Sequence, residues 1–165
     1  MSAIHAPKSS GSRKALALFV LLTLTVGAVA GVATVSNIQG WYATLNKPSF
    51  NPPNGVFGPV WTLLYVLMAI SAWRVWRSPR VEGVRRRALG FWYGQLALNF
   101  AWSFLFFALH RPGVALAEIL TLLAAVALTL VLSWRVDRIA GMLLIPYLAW
   151  VAFASLLNFE IWRLN

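Results

Sequence analysis

Five stretches of this chain stay apolar over about 20 residues, the length an α-helix needs to cross the hydrocarbon of a bilayer. They run from about Ala15 to Val35, Val56 to Trp76, Ala88 to Leu109, Gly113 to Trp134 and Ile139 to Trp162. A backbone in hydrocarbon must satisfy its own N–H and C=O groups, so each stretch is expected to be a helix. The fold class expected is all-α: an integral membrane bundle of five transmembrane helices over residues 15–165, behind a basic, flexible tail over 1–14. Composition agrees. The 165 residues are 60% hydrophobic and 11% charged, which excludes an ordinary soluble domain and a disordered chain. There is no Cys, so disulfides, thiolate chemistry and Cys-held metals are excluded.

Lys8, Arg13 and Lys14 before an apolar run, with Ala28-Val29-Ala30 further on, also fit a secretory signal and its cleavage site. The run continues to Val35, beyond the usual length of such a segment, so an uncleaved helix is expected.

The net charge is +10, from 14 Lys and Arg against 4 Asp and Glu. Its placement points to membrane topology and not to a nucleic-acid partner. Eleven of the fourteen basic residues fall at one end of the stretches: Lys8, Arg13, Lys14, Arg74, Arg77, Arg80, Arg85, Arg86, Arg87, Arg135 and Arg138. Lys47, Arg111 and Arg163 fall at the other. The positive-inside rule then puts the N-terminus in the cytoplasm and the C-terminus outside.

The connection over 36–55 is longer than two neighbouring helices need. It carries Trp41, Tyr42, Lys47 and Phe50, and Pro48, Pro52 and Pro53 keep it from forming one continuous helix. It is either a lid or a segment lying at the membrane interface. His110-Arg111-Pro112 is expected to be a tight turn on the same side.

Polar residues inside the stretches carry the remaining information. Gln95, Asn99, Trp102 and Phe106 recur at helical spacing and share one face. Amides in lipid are costly unless paired, so that face turns inward. Trp61, Tyr65 and Met68 share a face of the second stretch. Tyr147, Trp150, Ala154 and Asn158 share one in the fifth, beside Leu157, and Pro146 is expected to bend that helix. Two readings follow from this spacing: a pocket for a large, flat, mostly apolar ligand, or plain core packing. Glu118 is the one acid well inside a stretch, and hydration or a hydrogen bond would satisfy it near the helix end. Glu160 and Arg163, three apart, are expected to pair. Neither His5 nor His110 has a partner at metal-ligand spacing, so no metal site is expected. Gly27-x-x-x-Gly31 and Gly90-x-x-x-Gly94 permit close helix approach. No enzyme signature is present.

Longer motifs narrow the choice. Trp41-Tyr42-x-x-Leu45-x-Lys47-Pro48-x-Phe50-x-Pro52-Pro53 is followed by Val56-Phe57-Gly58-Pro59-Val60-Trp61-Thr62-Leu63-Leu64-Tyr65. Gly94-Gln95-Leu96-Ala97-Leu98-Asn99-Phe100-Ala101-Trp102, Pro146-Tyr147-Leu148-Ala149-Trp150-Val151-Ala152-Phe153-Ala154 and Leu157-Asn158 complete the set. In these motifs the chain resembles the TspO/MBR family of translocator and tryptophan-rich sensory proteins, over about residues 15–165.

The resemblance implies five membrane helices, a first loop that caps a ligand pocket, and a homodimer. It implies a receptor or transporter-like protein for tetrapyrroles such as protoporphyrin IX and haem-related porphyrins, with sterols and benzodiazepine-type drugs as further ligands. No cofactor is required; the porphyrin is a ligand. The pocket residues implied are Trp41, Tyr42, Trp61, Tyr65, Asn99, Trp102, Trp150, Ala154, Leu157 and Asn158. The macrocycle is expected to stack on Trp61, Trp102 and Trp150, with Asn99, Asn158 and Tyr65 bonding its polar edge. Gly90 and Gly94 match a motif linked to dimer contact. The family's sterol motif has a Tyr where this chain has Phe159, between Leu157 and Arg163, so the phenol is missing. Light- and oxygen-dependent porphyrin degradation, using Trp61 and Trp150, and a regulatory adaptor working through the Arg77–Arg87 loop are the alternative functions. The membrane expected is the bacterial inner membrane.

Overall fold

The computed structural model describes residues 9–165, and every regular element among them is helical. The order is α1 (Ser9–Ile38), α2 (Trp41–Thr44), α3 (Asn54–Arg77), α4 (Glu82–Ser103), a π-helical turn (Phe104–Ala108), α5 (Pro112–Val136), α6 (Arg138–Met142) and α7 (Ile145–Leu164). Of the 1–14 segment, residues 1–8, with His5 and Lys8, lie outside the described residues, and Ser9–Lys14 form the first turns of α1.

Among the described residues, four segments are long and apolar enough to cross a membrane: Gly11–Ile38, Asn54–Arg77, Pro112–Val136 and Arg138–Leu164. Five such spans were expected from the sequence. The expected third span is helical, as α4 and its π turn, but is not among the four. It starts in the Arg85–Arg87 run and ends at the π turn, which leaves too short an apolar stretch of continuous α-helix between them. Its Gln95 and Asn99 are both buried against neighbouring helices. The chain is an integral membrane protein built as a helical bundle, in which α4 packs chiefly along α5 and also meets α1 and α3.

Three local features shape the bundle. Pro146 lacks the N–H that would continue a helix through 142–146. The helix is interrupted there by a two-residue turn, with α6 ending at Met142 and α7 starting at Ile145, while Leu143 and Leu144 keep right-handed helical dihedrals. Gly141 makes the close approach of α6 possible: a Cβ there would stand 2.8 Å from Trp134 Cβ. At the far end of α4, Leu109 N–H donates to Phe104 O at 2.9 Å, five residues back, so the last turn is widened. The extra residue turns both Phe106 and Phe107 into the core. His110 then adopts φ 54°, and α5 begins at Pro112.

The arginine-rich end is tied by one carboxylate. Arg74 donates to both oxygens of Asp137, at 3.1 and 2.8 Å. Asp137 also accepts from Ala140 N–H at 2.9 Å and caps α6. Ser71 Oγ donates to Ala140 O at 2.8 Å, so α3 and α6 are joined twice. Burial works against charge on Asp137, but the Arg74 hydrogen bonds, the Ala140 and Ile139 N–H groups and the attraction of Arg74 outweigh it. Together they hold the carboxyl below its usual value of 3.8. A lowered pKa means stability that is present above the ordinary aspartate range and lost as pH falls through the lowered value. Asp137→Asn keeps a capping side chain and removes the charge. We expect thermal unfolding in detergent at pH 7 to show a loss of about 1 kcal/mol, modest because the two side chains are 27% and 22% exposed. The native protein should lose this increment on acidification, and the variant should not.

Candidate functional site

At the end of the bundle opposite the arginines lies a cavity of about 700 Å³. Its walls come from α1, α2, α3, the end of α4 with its π turn, and α7. α3 supplies Trp61 and Tyr65, whose rings lie 5.8 Å apart. α7 supplies Trp150, Ala154, Leu157 and Asn158, and Trp150 meets Trp61 edge-on at 6.5 Å and 89°. Trp102 of α4 lines the cavity and stacks on Phe106 at 5.5 Å. Tyr42 of α2 closes one end. These are eight of the ten pocket residues expected from sequence.

Asn99 and Trp41 stand outside the lining. Asn99 is 1% exposed and sits behind Tyr65. Tyr65 Oη donates to Asn99 Oδ1 at 2.6 Å, Asn99 Nδ2 donates to Tyr147 Oη at 3.2 Å, and Tyr147 Oη donates to Gln95 Oε1 at 2.8 Å. This chain of bonds joins α3, α4 and α7. Trp41 stacks on His110 at 4.4 Å and 19°, while His110 Nε2 pairs with Asn37 Oδ1 at 3.0 Å. Trp41 thus props the lid from outside the cavity.

The expected hydrogen-bonding roles change accordingly. Asn158 accepts from Trp102 Nε1 at 3.0 Å and donates to Pro112 O at 2.8 Å. Tyr65 and Asn99 are engaged with each other. The amides and phenol expected to bond a ligand's edge are therefore spent inside the protein. Among the described residues, the buried polar side-chain atoms without a partner are Trp150 Nε1 and the two carboxylate oxygens of Glu118. Trp150 lines the cavity and Glu118 does not. The hydrogen bond expected to satisfy Glu118 is not supplied by the protein.

The connection over residues 39–53, which gives Tyr42 to the cavity wall, is pinned. Tyr42 is 2% exposed, and its hydroxyl donates to Asn51 Oδ1 at 2.8 Å. Burial, partly offset by that bond, pushes the Tyr42 pKa up to about 12, so it remains a neutral donor. Lys47 Nζ lies 4.9 Å from the Tyr42 ring centroid and donates to Leu45 O at 3.0 Å. Asn46 N–H donates to Asn165 Oδ1 and Asn165 Nδ2 donates to Asn46 O, both at 3.0 Å, which clasps the lid to the end of α7.

Sequence reasoning missed the wall built by α1. Gly27, Gly31 and Thr34 face the cavity, as do Phe57 and Gly58 of α3. The Gly27-x-x-x-Gly31 spacing marked a close approach but not what approaches. A Cβ on Gly27 would lie 2.4 Å from Tyr65 Cε2, so this glycine makes room for the Tyr65 ring. Gly90 and Gly94 are exposed, with open space where a Cβ would stand. Leu157, Phe159 and Arg163 do not converge: Leu157 lines the cavity, Phe159 is exposed, and Arg163 pairs with Glu160 at 2.6 Å.

Gly27→Ala should therefore push the Tyr65 ring away from Asn99. A thermal melt in detergent is expected to show a cost of about 1–3 kcal/mol, as overpacking gives in a tight core. Gly31→Ala, which meets nothing within 4 Å, should be close to neutral in the same assay.

The sequence profile described as the TspO/MBR family matches residues 19–163. The tryptophan-rich protein TspO of Archaeoglobus fulgidus is 43% identical over 146 residues, which is 88% of this chain and 94% of that protein. Human translocator protein is 44% identical over 128 residues, covering 76% of this chain and 75% of its own length. The tryptophan-rich sensory protein of Cereibacter sphaeroides is 41% identical over 149 residues, or 90% and 92% of the two chains.

Proposed function

The chain belongs to the TspO/MBR family, and on that footing we propose that its cavity binds planar tetrapyrroles of the protoporphyrin IX kind within the membrane. The observation that carries this reading is the convergence of Trp61, Trp102 and Trp150 on one apolar cavity of about 700 Å³. That volume lies in the ~300–1,000 Å³ range of small-molecule sites. Indole faces offer broad contact to a flat aromatic ring, and offset or edge-on geometry is the favoured arrangement.

Trp150 Nε1 gives the site its polar direction. It is a buried donor with no protein acceptor, and leaving it unpaired is costly. The atom itself is closed off within the wall, so a ligand carboxylate or carbonyl oxygen pairs with it, and removes that cost, when the Trp150 ring turns toward the cavity. Tyr42, Tyr65, Trp102 and Asn158 of the wall are already paired, so a ligand meets a mostly apolar surface. Sterol binding is the weaker reading, because Leu157, Phe159 and Arg163 form no common surface. In this reading the arginine-rich end faces the cytoplasm of a bacterial inner membrane, and the open face at Gly90 and Gly94 is where a second copy packs.

Quenching of tryptophan fluorescence by protoporphyrin IX, with the protein in lipid nanodiscs, tests the site. Trp150→Phe keeps the ring and loses the donor, and affinity should fall about fivefold to tenfold. Trp61→Ala with Trp150→Ala should weaken binding further, because the stacking surface goes too. Native affinity in the double variant would remove the ligand from this cavity.

A further inference from the structure

The cavity has one closed side and one open side. The lid side is closed by the buried Tyr42, its bond to Asn51, and the Asn46–Asn165 clasp. The seam between α1 and α3 differs. Leu24, Ala28 and Val35 of α1 and Gly58 and Thr62 of α3 line the cavity and are solvent-accessible. On α1 these positions are four and seven residues apart, and on α3 four apart, so each set follows one helix face toward the seam. A Cβ on Gly31 or Gly58 would meet nothing within 4 Å, so the seam is not filled by side chains at these two points.

All of these residues lie in the segments Gly11–Ile38 and Asn54–Arg77, both long and apolar enough to cross a membrane. The polar groups along the seam are internally paired. Thr62 Oγ1 donates to Gly58 O at 2.9 Å, and Thr34 Oγ1 donates to Ala30 O at 3.2 Å. An opening toward lipid therefore exposes no unpaired side-chain hydroxyl at these residues.

We propose that the α1–α3 seam is the mouth of the cavity, and that its ligands are membrane-dissolved molecules that arrive sideways from the acyl-chain region while the lid stays shut. This rests on the ligand-binding reading above and narrows it to molecules that partition into the bilayer first. Glycines at 31 and 58 place no side chain in the path between the two helices.

The chain has no cysteine, so engineered thiols are unique. Two variants separate the routes in nanodiscs, with protoporphyrin IX as the probe and stopped-flow fluorescence as the readout. Asn46→Cys with Asn165→Cys, joined by a short thiol-to-thiol cross-linker, locks the lid. Association should stay within about twofold of the uncross-linked protein. Gly58→Leu narrows the mouth, and association and dissociation should both slow by about tenfold or more. A locked lid that slows association while Gly58→Leu does not would overturn the proposal. So would a Gly58→Leu protein in which only dissociation changes, since that residue would then merely shape the site. If protoporphyrin IX does not bind the native protein, the tetrapyrrole reading fails and the mouth is judged without it. In vesicles of phosphatidylcholine brominated on its acyl chains, the emission lost in the Trp61→Phe, Trp150→Phe variant should belong to a strongly quenched component. Quenching confined to the other tryptophans would overturn the mouth.

Discussion

Hydrophobic packing gives little direction inside a bilayer, because lipid tails are as apolar as Leu. The relation of α3, α4 and α7 depends instead on a run of buried hydrogen bonds, Tyr65 to Asn99 to Tyr147 to Gln95. Each group would be costly if unpaired in hydrocarbon, and each has one arrangement that satisfies it. The run also explains why the cavity is apolar. Its amides and hydroxyls turn toward one another behind the wall, and Trp102 and Asn158 do the same at the far corner. What faces the cavity is mostly ring surface and small residues.

The two ends of the bundle are built for different tasks. At the arginine end, Asp137 joins Arg74 to the cap of α6, and Ser71 adds a second tie, so that α3 and the α5–α6 corner form one rigid block. At the cavity end, α1 approaches α3 through glycines and contributes few buried side chains of its own. A helix held by small residues leaves space beside them. That space is the ligand cavity and, in our reading, its mouth.

Much of this was legible in the residues. Runs without charge mark the spans, because no side chain in them needs water. Gln95, Asn99 and Trp102 announced an inward face, since amides cannot be left in lipid, and all three are buried. Three features were not legible. The π turn at Phe104–Ala108 leaves no composition signal, yet it brings Phe107 to the cavity beside Phe106. The partners of Asn99 and Asn158 depend on which helices meet, and spacing along one helix is silent on that. The span count differs because α4 starts in the Arg85–Arg87 run and ends at the π turn, which leaves too short an apolar stretch of continuous α-helix between them. Glycine spacing indicated a close approach of α1, but the Tyr65 ring as its partner is a tertiary fact.

The central claim is that one connected set of polar bonds holds the cavity-forming helices together. It is tested most directly by a double-mutant cycle on unfolding stability in detergent, using Tyr65→Phe and Tyr147→Phe. The two hydroxyls sit on different helices and share Asn99 as their common partner. If the set acts as a unit, removing both should differ from the sum of the single losses by about 0.5–2 kcal/mol. Strictly additive losses would mean that the bonds are independent and that something else sets the geometry of the bundle.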